Sequence, residues 1–407
     1  MKRRNFIINS TLALAGTMFL AGCTKDEIIL EPNKIAKRKF KNIEIPLLGF
    51  GCMRLPLKNG KIDIEEFEKM TQYAMDNGAN YFDTAYMYMS SKSENAVGKV
   101  LKNYKRGDVI LADKNPLAHL KSIDDVKKIF EEQLQKCKTD YFDFYMAHNI
   151  NSHTYEAYKN YKVYEQLKEF KRQGLIKYLG FSFHGTTEML ENVLKEHSFD
   201  FVQLQMNYFD WNNINAKEQY EIIQEKKLPI IVMEPLRGGS LSLIPKEAQD
   251  VLSKAYKKET PSSFGLKWAA SKKNVISVLS GMSSLEQMKE NIETFKNFKI
   301  FGEEEEKLAQ ELAKIIQSKG EIACTTCKYC TEVCPLGINI PAAFAMYNQY
   351  KISGNGRIFP VYYDSLKESE RPDKCIGCGL CNRNCPQSID IPKMLKVITD
   401  EYKKLSV

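Results

Sequence analysis

Between Ile43 and about Lys299 the chain alternates two kinds of apolar spacing. Short runs rich in β-branched and aromatic residues are each followed by a stretch in which apolar residues recur every three or four positions. The runs predict strands at residues 47–53, 81–84, 109–114, 142–148, 178–183, 201–207, 230–234 and 276–281. Eight strand–helix units in roughly 260 residues match an α/β (β/α)8 TIM barrel. The competing arrangement, a doubly wound open sheet, normally shows G-x-G-x-x-G after its first strand. Gly49-Phe50-Gly51-Cys52-Met53-Arg54 does not complete that pattern. Residues 303–306, all glutamate, open one more helix, where carboxylates favour the positive end of the dipole.

The N-terminal end follows neither period. Residues 12–21 form an apolar run too short to span a bilayer comfortably. It is preceded by Lys2-Arg3-Arg4-Asn5-Phe6-Ile7 and closes with Leu20-Ala21-Gly22-Cys23. This reads as a targeting segment. Its arginine pair resembles a twin-arginine export signal, which carries folded proteins, and its last four residues resemble the bacterial lipobox. Residues 1–22 are therefore expected to be a signal peptide, Cys23 a lipidated first mature residue, and 23–39 a polar tether. The barrel is expected at 40–318 and a second domain at 319–407. A Sec-type n-region is the alternative for Arg3 and Arg4, and a plain thiol in an uncleaved anchor the alternative for Cys23. The expected location is the cell envelope, periplasmic or surface side, with a lipid anchor as the membrane contact.

The second domain announces itself by cysteine spacing. Cys324-Thr-Thr-Cys327-Lys-Tyr-Cys330-Thr-Glu-Val-Cys334-Pro335 is followed by Cys375-Ile-Gly-Cys378-Gly-Leu-Cys381-Asn-Arg-Asn-Cys385-Pro386. Both runs follow C-x2-C-x2-C-x3-C-P, the spacing of two-cluster bacterial ferredoxins, and supply eight thiolates for two 4Fe–4S clusters. By that pattern Cys324, Cys327, Cys330 and Cys385 hold one cluster, and Cys375, Cys378, Cys381 and Cys334 the other. Zinc knuckles and disulfides are the competing readings, but neither repeats this spacing with its proline. The expected domain is small, α-rich and ferredoxin-like. Twin-arginine export fits a chain that takes up its metal before crossing the membrane.

Composition adds limits. The chain is 43% hydrophobic and 27% charged, ordinary for a globular protein. Its formal charge of +8 includes Lys2, Arg3 and Arg4 of the targeting segment, and the remaining lysines are interspersed with glutamates. That is a solvated surface with no nucleic-acid stripe. Of 11 cysteines, Cys23, Cys52 and Cys137 lie outside the two runs, and Cys52 and Cys137 read as small core residues.

In a barrel the C-terminal strand ends line the active face. Those ends carry Asp83, with Tyr88 five residues on, Lys114 and His148. A tyrosine hydroxyl has a pKa near ~10 and is a weak acid at neutral pH. A lysine ammonium close by is expected to lower it, with Asp83 holding that lysine in place. His148 can orient a substrate oxygen. The set can protonate a carbonyl oxygen while hydride reaches its carbon. Tyr86 is the alternative acid, and His184 a further candidate at the same face.

These residues, in Phe82-Asp83-Thr84-Ala85-Tyr86-Met87-Tyr88 and in Phe142-Asp143-Phe144-Tyr145-Met146-Ala147-His148, resemble the aldo/keto reductase family. The cysteine runs are similar to that family's ferredoxin-appended branch. The resemblance implies a nicotinamide site: Ser182 and Gln203 at the carboxamide, Met233 against the ring, Leu236 and Gly238 at the pyrophosphate. It places Ser283, Gln287 and Asn291 at the adenosine end. Gly281 and Gln287 stand where NADP-selective members carry lysine and arginine, which favours NAD unless Arg237 compensates. The implied activity is hydride exchange with a small carbonyl or alcohol substrate. Nicotinamide moves two electrons and each cluster one, so a flavin without a recognisable motif, a separate electron route to a redox partner protein, or structural clusters would complete the picture. The alternatives are an electron-transfer protein whose barrel is a docking scaffold, and a lipid-anchored binding protein.

Overall fold

The computed structural model describes residues 28–212, 216–296, 298–319, 322–353, 356 and 358–406. The signal peptide, Cys23 and the first residues of the expected tether lie outside them. Eight parallel strands close into a barrel: β1 Leu48–Gly51, β2 Tyr81–Asp83, β3 Ile110–Pro116, β4 Phe142–Ile150, β5 Ile176–Phe183, β6 Phe201–Gln205, β7 Ile230–Met233 and β8 Val275–Ser280. Each strand predicted from the sequence is present, with ends shifted by at most two residues. The strands are buried almost throughout, inside against each other and outside against helices.

The helix Ile64–Asp76 shows how the outer layer forms. Asp63 caps it by accepting from the Glu66 amide at 3.2 Å, and Phe67, Met70, Thr71 and Ala74 form its buried stripe. The cap contributes about 1 kcal/mol, and burying Phe67 roughly 2–3 kcal/mol.

Residues 28–39 are not a tether. Ile28–Ile29, Lys37–Phe40 and Ile43–Pro46 pair as a three-stranded antiparallel sheet. Phe40 enters the N-terminal mouth of the barrel, 4.9 Å from the Tyr178 ring and 5.5 Å from that of Phe144. Ile35 and Ala36 are fully buried, and Arg38 donates to the Val275 carbonyl. The sheet therefore plugs the N-terminal end of the barrel.

The second domain is α-rich and has its own core, built around Ile338, Phe344, Phe359, Tyr363, Leu395 and Ile398. The repeat in it extends beyond the cysteines. Cys334-Pro-Leu-Gly-Ile-Asn-Ile340-Pro341 and Cys385-Pro-Gln-Ser-Ile-Asp-Ile391-Pro392 each lead into a long helix, Ile340–Ser353 and Ile391–Leu405. Asn339 and Asp390 accept from the amide three residues on, both at 3.4 Å, and the proline occupies the first turn where no donor is needed.

Candidate active site and cluster sites

Strand register gathers the catalytic candidates. Asp83 pairs with Gly51, Lys114 with Met146 and His148 with Pro116, which sets all three near the C-terminal rim. Lys114 Nζ lies 2.5 Å from Asp83 Oδ1 and 2.7 Å from the Thr84 carbonyl, in a pair that is 0% and 2% exposed. Gln203 Nε2 donates to the other Asp83 oxygen at 2.9 Å. Behind Lys114 the strand is pinned by Gln133, which donates to Asp113 at 2.9 Å and to the Lys114 carbonyl at 3.0 Å. The Tyr88 ring sits 4.7 Å from Lys114 Nζ and edge-on to His148 at 5.9 Å. Tyr86 turns away, its ring 4.1 Å from Lys136 Nζ and its hydroxyl near Glu132.

Tyr88 is held protonated, contrary to the expected lowering by Lys114. Burial pushes its pKa well above the ordinary range, and the charges of Asp83 and Glu234 add to this. Lys114 also bonds Asp83 and Thr84, and burial outweighs its charge at the ring. Burial, with Lys114 nearby, holds His148 well below its usual value, so its imidazole is neutral. His148 Nδ1 is buried with no hydrogen-bond partner among the described residues. Burial also lowers His184, to about 4.

Asp83, Tyr88, His148, His184 and Gln203 open into a cavity of about 490 Å³. Met233, Leu236, Gly238, Ser283, Gln287 and Asn291 line the same space. Ser182 does not line it. Its hydroxyl accepts from the Asn149 amide at 2.7 Å and fixes the C-terminal end of β4. Arg237 is not available to a nucleotide phosphate either. It is 1% exposed, 3.2 Å from Asp210 Oδ1, and stacked 4.3 Å over Phe209. Arg54, Glu234 and Glu290 line the cavity and were not anticipated, because no local spacing marks them.

The second domain roofs this cavity. Thr325, Cys327, Tyr329, Pro386 and Gln387 belong to its wall. Arg54 donates to the Thr325 carbonyl at 2.5 Å and to Thr326 Oγ1 at 3.1 Å, and stands 3.6 Å from Glu234. Gln205 and Gln387 exchange two amide hydrogen bonds, 2.8 and 2.7 Å. Gly238 has φ +67°, and a Cβ there would stand 2.4 Å from the Thr325 carbonyl oxygen. Its glycine therefore serves domain contact, whereas neighbouring Gly239, at φ +97°, has open space where a Cβ would project.

The cysteines fall into the crossed sets. Cys324, Cys327, Cys330 and Cys385 line one pocket, and Cys334, Cys375, Cys378 and Cys381 another. The motifs turn alike: Thr326 and Gly377 have φ of 54° and 72°, Lys328 and Gly379 of 71° and 73°. Such left-handed turns let the chain wrap a cluster, and the Thr326 amide reaches Cys324 Sγ at 3.4 Å. Burial pushes the Cys324 thiol up to about 11 and Cys330 up to about 12, so thiolates there need the positive charge of an iron core. The residues fit two 4Fe–4S clusters. Cys327, on the first pocket, faces the barrel cavity, whereas Cys378, on the second, is exposed.

Comparison with known proteins agrees with this architecture. The aldo/keto reductase family profile matches residues 47–313, and a 4Fe-4S dicluster domain matches residues 323–389. The uncharacterized oxidoreductase YqkF of Bacillus subtilis (strain 168) is 26% identical over 68% of this chain and 96% of its own. L-galactose dehydrogenase of Arabidopsis thaliana is 25% identical over 68% and 93%. Among solved structures, the holo form of an aldo-keto reductase from Bacillus halodurans superposes with a TM-score of 0.58 at 26% identity, over 69% of this chain and 96% of that one. The chain belongs to the aldo/keto reductase family. It is an oxidoreductase of that type, with a nicotinamide-binding fold, that carries a 4Fe–4S domain after its barrel.

Proposed function

We propose that the enzyme exchanges a hydride between a nicotinamide nucleotide and a small carbonyl or alcohol, with Tyr88 as general acid and base. The observation that carries this reading is the convergence of Tyr88, His148 and the Asp83–Lys114 pair on the cavity that Gln203, Met233 and Asn291 also line. Bound nucleotide supplies the hydride chemistry. In the direction of reduction, the protonated Tyr88 hydroxyl donates to the forming alkoxide, and neutral His148 orients that oxygen by hydrogen bonding. Lys114, fixed by Asp83 and Thr84, stabilises the phenolate left behind. Tyr88→Phe should lower kcat by 10²–10⁴-fold with nucleotide affinity unchanged. Full turnover of that variant would refute the role and favour the docking-scaffold reading.

The nucleotide reading leans to NAD. Gly281 and Gln287 offer no cation, Arg237 is buried in its pair with Asp210, and Glu290 adds a carboxylate to the lining. Losing one charge-assisted contact costs NADP roughly tenfold or more. Dissociation constants for both nucleotides on stripped protein test this, and clear NADP preference would overturn it.

An electron-relay role is supported by Cys327, which lines the catalytic cavity while Cys378 faces outward. One-electron transfer to or from hydride chemistry needs a mediator such as a flavin. Anaerobic purification followed by identification of released nucleotide or flavin decides whether one is bound. Lipidation at Cys23 and twin-arginine export complete the proposal. Mass spectrometry of the mature N-terminus tests the first, and replacement of Arg3 and Arg4 by lysine the second.

A further inference from the structure

The lysines that alternate with glutamates along the sequence sort by face in the fold. At the N-terminal end of the barrel lie the turns that lead into its strands, residues 77–80, 102–109, 138–141, 173–175, 197–200, 226–229 and 271–274, together with the hairpin 37–46. They carry 12 lysines and arginines against four aspartates and glutamates. The loops between each strand and its next helix at the opposite rim, residues 52–63, 84–92, 117–123, 151–154, 184–186, 206–212, 234–245 and 281–284, carry six against three. Helix C-termini attract cations, so part of the excess serves the helices themselves. Lys39, Lys105, Lys138, Lys226, Lys227 and Lys273 nevertheless stand exposed with no ion pair among the described residues.

The chain enters the fold at this same end. Ile28 pairs with Arg38, whose guanidinium donates to the Lys272 carbonyl at 3.3 Å, and Lys41 pairs with Asp200, so the first described strand lies within the ring of turns. Two large apolar side chains are exposed there. Leu30, 59% exposed, follows that strand, and Ile300, 50% exposed, precedes Phe301, whose amide donates to Ser271 at 2.8 Å. Cys23 stands five residues before Ile28, a span of at most ~18 Å. We propose that the N-terminal end of the barrel is a membrane-docking face for anionic phospholipid, its unpaired lysines meeting headgroup phosphates while Leu30 and Ile300 enter the interface. The inference rests on the Cys23 lipidation reading for its reach, and the face itself sets the orientation. The catalytic cavity and both cysteine pockets then point away from the lipid, and the exposed Cys378 meets partners from the aqueous side.

The test is vesicle co-sedimentation of the cluster-replete chain 23–407 carrying Cys23→Ala, which keeps every described contact and has no lipid of its own. Vesicles of phosphatidylcholine alone are compared with vesicles containing about one third phosphatidylglycerol. The anionic vesicles should bind roughly tenfold tighter or more at physiological salt, and the difference should vanish at ~1 M salt, where the Debye length is about 3 Å. Lys138→Glu, Lys227→Glu and Lys273→Glu together should weaken anionic binding by roughly tenfold or more. Lys58→Glu, Lys61→Glu and Lys121→Glu together make the same change in net charge at the opposite rim and should leave it within about twofold. Equal binding to both vesicles, or equal loss in the two triple variants, overturns the proposal. Tighter binding to polyuridylate than to anionic vesicles would assign the face to nucleic acid and overturn it as well. Intact vesicle binding beside an unmodified Cys23 in the native protein would uphold the face and remove the anchor instead.

Discussion

Replacing Lys114 by Met tests whether the buried Asp83–Lys114 pair, proposed above to serve catalysis, is also a structural liability. In the parent protein Lys114 and Asp83 are 0% and 2% exposed, and the lysine makes bonds of 2.5 and 2.7 Å. Methionine removes both bonds and leaves the Asp83 carboxylate buried with Gln203 at 2.9 Å as its remaining side-chain donor. Breaking a buried pair from one side costs about 3–5 kcal/mol, because the orphaned charge has lost its solvent and its partner. The double variant Lys114→Met with Asp83→Asn removes both charges and still lets Gln203 donate to an amide oxygen. It should recover most of the loss and end about 1–2 kcal/mol below the parent. Trp211 and Trp268, the two tryptophans of the chain, are both buried in the barrel, so tryptophan fluorescence in urea reports barrel unfolding apart from the cluster domain. Turnover should stay lost in the double variant. A single-variant loss below about 1 kcal/mol, or a double variant no more stable than the single, would refute the claim that the buried charges are what is at stake.

Three further outcomes are expected. His184 is lowered to about 4 from an ordinary value near 6.5, so the unfolded chain binds the extra proton first; barrel stability should fall as pH drops from about 6.5 towards 4, and His184→Gln should flatten that slope in fluorescence-monitored unfolding. Gly238→Ala should loosen the roof, since its methyl would meet the Thr325 carbonyl at 2.4 Å, and should speed proteolysis between the domains; Gly239→Ala meets no such atom and should cost only the ~1–2 kcal/mol of a left-handed residue, with the roof still seated. Removing residues 375–407 should abolish both clusters and not one, because Cys385 lines the first pocket; iron should fall from about eight per chain to near none.

The barrel was legible because its strands are apolar on both faces and separated by helical periods of ordinary length. The gathering of Asp83, Lys114 and His148 was legible because position at a strand end implies position at the rim. The hairpin of residues 37–46 was hidden by Lys37, Arg38 and Lys39, whose charges obscure a strand in which only Arg38 and Phe40 are fully buried. Arg237 misled because a cation in a glycine loop reads as a phosphate ligand, whereas Asp210, its partner, is set far off in sequence. Tyr88 kept its proton because burial and two carboxylates outweigh a lysine already bonded twice. The roof was invisible: the Gln205–Gln387 pair spans 182 residues, and no local period encodes such a contact.

That roof makes occupancy of the barrel a matter of timing. Thr325, fixed beside Cys324, closes over Gly238 and Arg54, and Gln387, two residues beyond Cys385, closes over Gln205. Cluster-bearing loops thus form one wall of the cavity, so a nucleotide bound there as proposed would be held in part by those loops. On the nucleotide reading proposed above, retention of the nucleotide should depend on the integrity of the iron centres. A molecule whose clusters are bleached by air should release its nucleotide faster than an intact one, an off-rate that stopped-flow fluorescence can follow. An enzyme working where free nucleotide is scarce would then carry its cofactor under a seal that oxygen can open.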